Sequence, residues 1–264
     1  FKLFPIPRES VHQSMTGYSF SIRDAGVASG RTNSCFIRGE NESRIMTRNT
    51  PSEDISEHSD RLRQFYERSL ANNNSETPQA CHWKGSERVQ TRFDVLTDIA
   101  DLSGRKILDF GCGNALLVDY LQDKDIECDY VGWDISPEMV SVSRNRYPSI
   151  EFQVKDILNG DVSECRNEFD YILISGVFTV RNGQSEDRHR EWYQEILRRL
   201  WPLCREGISV NFMTEYVDWM ENELYYCPLS EFSSFCVENL SRDFSIRHEY
   251  DLYEFTGHVY SDPA

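Results

Sequence analysis

The sequence predicts an α/β fold: a mainly parallel sheet covered by helices on both faces and finished by an antiparallel hairpin. Three observations carry that expectation. Beyond residue 104, short apolar runs alternate with segments of helical period, the pattern of strands joined by crossover helices. A glycine-rich turn follows directly on the first of those runs. The last two runs, in contrast, succeed one another with no helix between them, which suits antiparallel pairing.

Taken in order, residues 1–55 read as an N-terminal extension of uncertain fold, with short strand candidates at 18–22 and 35–37. A helix is expected over 52–74, where Leu62, Phe65, Tyr66 and Leu70 recur at helical spacing, and the polar stretch 71–78 ends it. A second helix is expected over 90–102, burying Phe93, Leu96, Ile99 and Ala100. Residues 56–103 thus form a helical cover segment ahead of a core at 104–264. In that core, strands are expected at 106–110, 130–135, 151–154, 171–175 and 208–212. Helices are expected at 114–122, 137–146 and 188–203. A last helix at 231–240 precedes strands at 244–250 and 255–260, joined by a tight connection at 251–254.

Composition narrows the function. The 264 residues are 39% hydrophobic and 27% charged, enough apolar material for a sizeable core. No apolar run is long enough to span a membrane, and the opening lacks a secretory signal pattern, so a cytoplasmic protein is expected. The formal charge of −16 repels both a phosphate backbone and an anionic lipid surface, so neither nucleic acid nor membrane is expected as a partner. Eight cysteines at wide spacings, without a CxxC pair, suit free thiols rather than a zinc site, and no Asp, Glu and His cluster compels any metal.

The chemistry concentrates at three strand ends. In Lys106-Ile-Leu-Asp109-Phe-Gly111-Cys-Gly113-Asn-Ala115, two glycines let the chain turn sharply and a ligand approach the backbone. The following helix aims its unpaired N–H groups at the same space, and Asp109 stands beside the turn. Asp134 closes the second strand, where a carboxylate can accept both hydroxyl hydrogens of a ribose. Asp156 and Ile157 close the third, offering an acceptor for the amine of adenine and an apolar contact for its ring. The bland readings are a tight turn, a helix cap with Ser136 and a turn aspartate. The three together, in this order, point to a nucleoside ligand.

These segments resemble the class I S-adenosylmethionine-dependent methyltransferases. ILDFGCGNA is similar to their glycine-rich first motif, with Ala115 where a third glycine is frequent; VGWDIS is similar to the second, KDIL to the third and FDYILISGVF to the fourth strand. The resemblance covers roughly residues 88–261. It implies a Rossmann-like seven-stranded sheet of order 3-2-1-4-5-7-6, with S-adenosylmethionine (SAM) across the C-terminal strand ends and S-adenosylhomocysteine (SAH) as product. It implies that Gly111 and Gly113 contact the methionine part, Asp134 the ribose, and Asp156 with Ile157 the adenine, with Asp109, Ile135 and Ser175 bordering the same ligand. In the cover segment, Trp83 and Arg92 are placed to contact the methionine end, Arg92 by pairing with its carboxylate; a surface salt bridge is the alternative for Arg92. A nicotinamide-linked dehydrogenase fits less well, because Leu116 stands where its fingerprint needs a third glycine.

The expected reaction is methyl transfer to a small-molecule acceptor, most simply a hydroxyl. Transfer to a nitrogen, and SAM binding without catalysis, are the alternatives. The small-molecule branch is suggested by Trp83, Arg92-Phe93, the SGVFTVR run at 175–181 and the closing HEYDLYEFTGHVY. Acceptor contacts are expected from Phe178 and Arg181 after the fourth strand, from Tyr225 and Tyr226 in the 215–227 insertion, and from Tyr253 in the hairpin. Against these stand a core role for Phe178, a solvated Arg181, and tyrosines that only pin the insertion and the turn. No catalytic base is assigned. His12 and His58 lie outside the recognisable core, His189 is expected to be exposed, His248 and His258 sit in the last strands, and His82 adjoins Trp83.

Overall fold

The structure, a computed structural model, describes residues 53–81 and 86–261, with side chains at 57–81 and from 87 onward. Residues 1–52 of the extension, including the strand candidates and His12, lie outside the described residues, as do His82 and Trp83.

One sheet organises the chain. Its parallel part comprises β1 (Lys106–Phe110), β2 (Asp129–Asp134), β3 (Glu151–Val154), β4 (Phe169–Ile174) and β5 (Cys204–Thr214). A short β6 (Tyr226–Cys227) runs parallel to the end of β5. The chain closes with β7 (Phe244–Arg247) and β8 (Glu254–Tyr260), and β8 lies antiparallel to both β5 and β7. The order β3-β2-β1-β4-β5-β8-β7 is the expected one once β6 is set apart. Crossovers place α3 (Leu116–Asp123), α4 (Pro137–Arg146) and α5 (Glu186–Leu200) on the sheet, and α6 (Leu229–Asn239) precedes the hairpin. Strands β1, β4 and β5 are buried on both faces, which their Val, Ile, Leu and Phe content permits. One core gathers Trp133, Phe169, Phe178, Trp192, Phe212 and Phe232; the other gathers Phe93, Leu96, Ile107, Leu117 and Leu173. Among the described residues no helix is long and apolar enough to cross a membrane, and the seven described cysteines are free.

Local chemistry sets the element ends. Ser136 caps α4 by accepting from the Met139 N–H at 3.2 Å, with Pro137 as the first helical residue. Ser185 caps α5 by accepting from Arg188. That helix stops at Leu200 rather than 203, because Pro202 cannot donate to the ladder, and 201–203 tighten into a 3-10 turn. Helix α2 (Ser86–Thr97) begins and ends earlier than its stripe suggested; Ile99 and Leu102 are buried in the turn beyond it. In the insertion, β6 finds a parallel edge at Met213 and Thr214, beyond the expected end of β5.

The first described helix, α1 (Glu53–Asn72), is pinned to α5 and to the loop before it by buried polar contacts. Trp192 Nε1 donates to Ser59 Oγ at 2.9 Å, and Asn182 donates to the Arg61 carbonyl at 3.1 Å. Beside them, His58 Nε2 lies 3.1 Å from His189 Nδ1, and His189 Nε2 lies 3.0 Å from the Phe178 carbonyl. A carbonyl only accepts, so His189 carries its proton on Nε2, and its Nδ1 accepts a hydrogen bond from His58 Nε2–H. His189 is therefore fully buried, not exposed: its ring packs against Trp192 and Tyr225.

Burial, then the charge of Arg61, lowers His58 to about 4; burial, then His58, lowers His189 to about 3. Both are neutral in the fold, whereas the unfolded chain takes up protons near 6.5. Their contribution is therefore complete above about pH 6.5 and declines as the pH falls toward the folded values. Between pH 7 and pH 5 each histidine is expected to remove about 2 kcal/mol of stability. Denaturant titrations of the native chain and of His58→Phe/His189→Phe at both pH values test this. An equal pH slope in the two proteins would contradict it.

Candidate functional site

The ends of β1, β2, β3 and β4 open into a cleft roofed by α1. Gly111 and Gly113 hold positive φ angles of 77° and 53°, the left-handed region that side chains resist. The turn is tied to β2, since the Gly111 and Cys112 N–H groups donate to the Trp133 carbonyl at 2.8 and 3.0 Å. Asp134 completes it: one oxygen accepts from Gly113 N–H at 2.9 Å and the other from Ser136 N–H at 2.8 Å. From the cover segment, the Cys81 thiol meets Asn114 Oδ1 at 3.0 Å, and Asn114 Nδ2 donates to the carbonyls of Ser75 and Thr77. Asn114 thus locks the chain after α1 to the glycine turn and does not cap α3, whose N-cap position falls to Ala115 in a left-handed conformation. The cleft is lined by Asp109, Gly111, Gly113, Asp134, Ile135, Asp156, Ile157 and Ser175, together with Ser59, Leu62, Arg63 and Tyr66 of α1.

Two carboxyls, buried Asp109 and half-buried Asp134, make this cleft acidic. Asp109 is pushed up to about 7 by burial, while the Tyr130 hydroxyl, donating at 2.6 Å, opposes the shift and Asp134 adds to it. Burial also raises Asp134, against the N–H groups of Ser136 and Gly113. Such a pair suits a ligand that brings positive charge and hydroxyl hydrogens. Ser175 Oγ is buried in the same wall without a hydrogen-bond partner among the described residues, a group that a polar ligand would satisfy. The glycine turn, the acidic pair and this hydroxyl fit a SAM-like molecule. Asp156 is less available, because its oxygens accept from Leu158 N–H and Asn159 Nδ2 at 2.9 and 2.7 Å.

A second cavity of about 460 Å³ lies next to the first and shares Tyr66, Cys81 and Gly176 with it. Tyr226 and Tyr253, two of the five residues named as acceptor contacts, line it; the Tyr226 hydroxyl accepts from Glu221 N–H at 2.9 Å, and that of Tyr253 donates to Asp218 at 3.1 Å. Arg92 lines it too, but faces a protein carboxylate: its Nε donates to Glu254 Oε2 at 2.8 Å, and a second N–H meets Oε1. Both partners are nearly buried, and a desolvated guanidinium needs such a counter-charge. Asn211 continues the chain, donating to Glu254 and accepting from Gly176 N–H at 2.7 Å.

Three other expected contacts sit elsewhere. Phe178 is fully buried, stacked on Phe212 with ring centres 5.4 Å apart. Arg181 turns back into the insertion and donates to the Leu224 carbonyl at 2.9 Å and to those of Gln184 and Asn222. Tyr225 is buried against His189 and donates to Glu231. Phe178 is held by apolar packing, while Arg181 and Tyr225 satisfy their polar groups within the protein. Cys81 belongs to the cover segment expected near the methionine end, whereas Tyr66, Asn114 and Glu254 were not anticipated. Their only sequence signals were a helical stripe for Tyr66 and proximity to the glycine turn for Asn114.

Comparison with known proteins agrees with this geometry. A family profile described as a methyltransferase domain matches residues 107–202. Rv1506c of Mycobacterium tuberculosis (strain ATCC 25618 / H37Rv), a protein assigned as a methyltransferase, is 34% identical over 155 residues, spanning 57% of this chain and 89% of its own. Among solved structures, the magnesium protoporphyrin IX methyltransferase ChlM from Synechocystis PCC 6803, with bound SAH, shares the fold at a TM-score of 0.53 and 14% identity, over 80% of this chain and 100% of its own. The plantazolicin methyltransferase BpumL in complex with SAH gives 0.50 and 19%, over 80% and 98%. With the strand order and the glycine turn already in place, the relative matched over nearly its whole length decides the family: the chain belongs to the class I, Rossmann-like S-adenosylmethionine-dependent methyltransferases.

Proposed function

We propose that the chain transfers a methyl group from SAM, held in the first cleft, to a hydroxyl of a small molecule held in the second cavity. The observation that carries this reading is the shared wall of Tyr66, Cys81 and Gly176, where donor and acceptor would meet. Gly111 and Gly113 run along the methionine part, Asp134 accepts from the ribose hydroxyls, and Ile135 and Ile157 flank the adenine. When bound, SAM supplies a methyl carbon activated by its sulfonium charge. The chain's part is to hold the acceptor oxygen in line and keep water out. Burial raises the Tyr66 phenol well above its usual value, with Cys81 and Asp134 adding to the shift and Arg92 opposing it. Tyr66 therefore stays protonated and serves as a hydrogen-bond donor, not as a base.

Two features support a small hydroxylic acceptor. A cavity of about 460 Å³ is of the size that takes one metabolite-sized ligand. After β4 the chain reads Ser175-Gly176-Val177-Phe178 in place of the Asn-Pro-Pro-Tyr run associated with amide and adenine N-methylation. Incubating the purified chain with methyl-labelled SAM and a metabolite extract tests the reading. A low-mass product carrying the label on oxygen, with matching release of SAH, is the expected result. Label found only on RNA or on protein side chains would refute it.

A further inference from the structure

Besides Ser175, one other residue of the first cleft carries a buried polar atom without a partner among the described residues. Trp133 lines the cleft, is 1% exposed, and its indole Nε1 has no hydrogen-bond acceptor. The ring is firmly placed. It meets Phe169 edge-on with centres 5.5 Å apart, and the Lys155 ammonium sits 4.7 Å from its centre. Its backbone is fixed as well, since the Trp133 carbonyl holds the N–H groups of Gly111 and Cys112 and the residue pairs in register with Phe110. An indole N–H can only donate. Buried without an acceptor it is costly, and an apolar side chain would fill the same space without that cost. Whatever occupies the cleft beside Trp133 should therefore bring an acceptor.

The rest of the lining says which part of the ligand this is. Trp133 shares the cleft with Ile157, Trp192 and Ile196, an apolar wall suited to a flat ring, and adenine carries acceptor nitrogens in its ring. Asp156, the other candidate for reading the base, already accepts from its own turn. We infer that Trp133 donates its indole N–H to a ring nitrogen of the cofactor's adenine and so helps select the purine. The inference rests on the SAM reading above and adds to it a specificity-determining residue.

The test uses SAH and its 1-deaza, 3-deaza and 7-deaza analogues, each with one ring nitrogen replaced by C–H, titrated by calorimetry. In the unsubstituted chain one analogue is expected to bind at least about tenfold more weakly than SAH. In Trp133→Phe that difference should vanish, with SAH itself weakened to the level of the analogue. Equal affinities for all four ligands in the unsubstituted chain would overturn the assignment, whether or not the variant folds. A penalty that persists in a folded W133F protein would overturn it too. If SAH itself fails to bind, the cofactor reading falls and this assignment falls with it, an outcome distinct from the other two.

Discussion

Replacing Gly111 and Gly113 together by valine is expected to abolish SAM binding, with affinity falling by at least about a hundredfold. Both residues hold φ angles that a β-branched side chain resists, at about 1–2 kcal/mol each. Space is also lacking: a Cβ at Gly111 would overlap Val177, and one at Gly113 would stand 2.8 Å from Cys81 Sγ. The turn must open, and its N–H groups then leave the Trp133 carbonyl and Asp134. Gly104→Val is the control. It has a φ of 71° but nothing within 4 Å, so it should lower stability and leave affinity alone. Calorimetry with SAH on folded proteins decides the matter; normal binding by the double variant would displace the whole site.

Asp134→Ala is the second large effect, expected to weaken SAM binding by at least about 1.5 kcal/mol. The side chain does two things at once in the proposed site. It offers acceptor oxygens to the ribose hydroxyls, and it holds the N–H groups of Gly113 and Ser136 at 2.9 and 2.8 Å. Removing it costs both the ligand contact and the shape of the turn. Asp134→Asn keeps one acceptor oxygen but turns an amide toward the second N–H, so it should fall between the two. Undiminished affinity in a folded D134A protein would take Asp134 out of the site.

The parallel sheet was legible because its signals are local. Lys106–Phe110 and Phe169–Ile174 are mainly apolar runs, Pro137 with Ser136 marks a helix start, and the glycines sit where a strand must turn. The hairpin was legible in existence but not in extent: β7 stops at Arg247, and the connection spans 248–253. What escaped is pairing between residues distant in the chain. Arg92 finds Glu254 162 positions away, and His58 finds His189 131 positions away. Neither has a local pattern, since such charges and imidazoles are buried only because the partner arrives. Likewise β6 is two residues long, too short for any period to announce it. Phe178 and Tyr225 were read as pocket residues from their place after β4 and in the insertion, yet the core around Phe212 and Glu231 claimed them.

The second cavity has a consequence for how such proteins diverge. Apart from Gly176, Thr179 and Val180, every residue lining it lies outside the 107–202 stretch that carries the family's shared pattern. Its walls come from the cover segment and from the region between Met213 and Glu254, joined to the sheet through Arg92, Glu254 and Asn211. If the second cavity takes the acceptor as proposed, substitutions at Arg88, Val89, Val217, Trp219, Leu224 or Leu252 can alter its choice without touching the strand ends of the first cleft. In the proposed arrangement, donor and acceptor are held by separate parts of one chain: the glycine turn on one side, the insertion and the hairpin on the other. Exchanging the 215–227 segment and the 248–253 connection between related chains is then the economical route to altered acceptor choice.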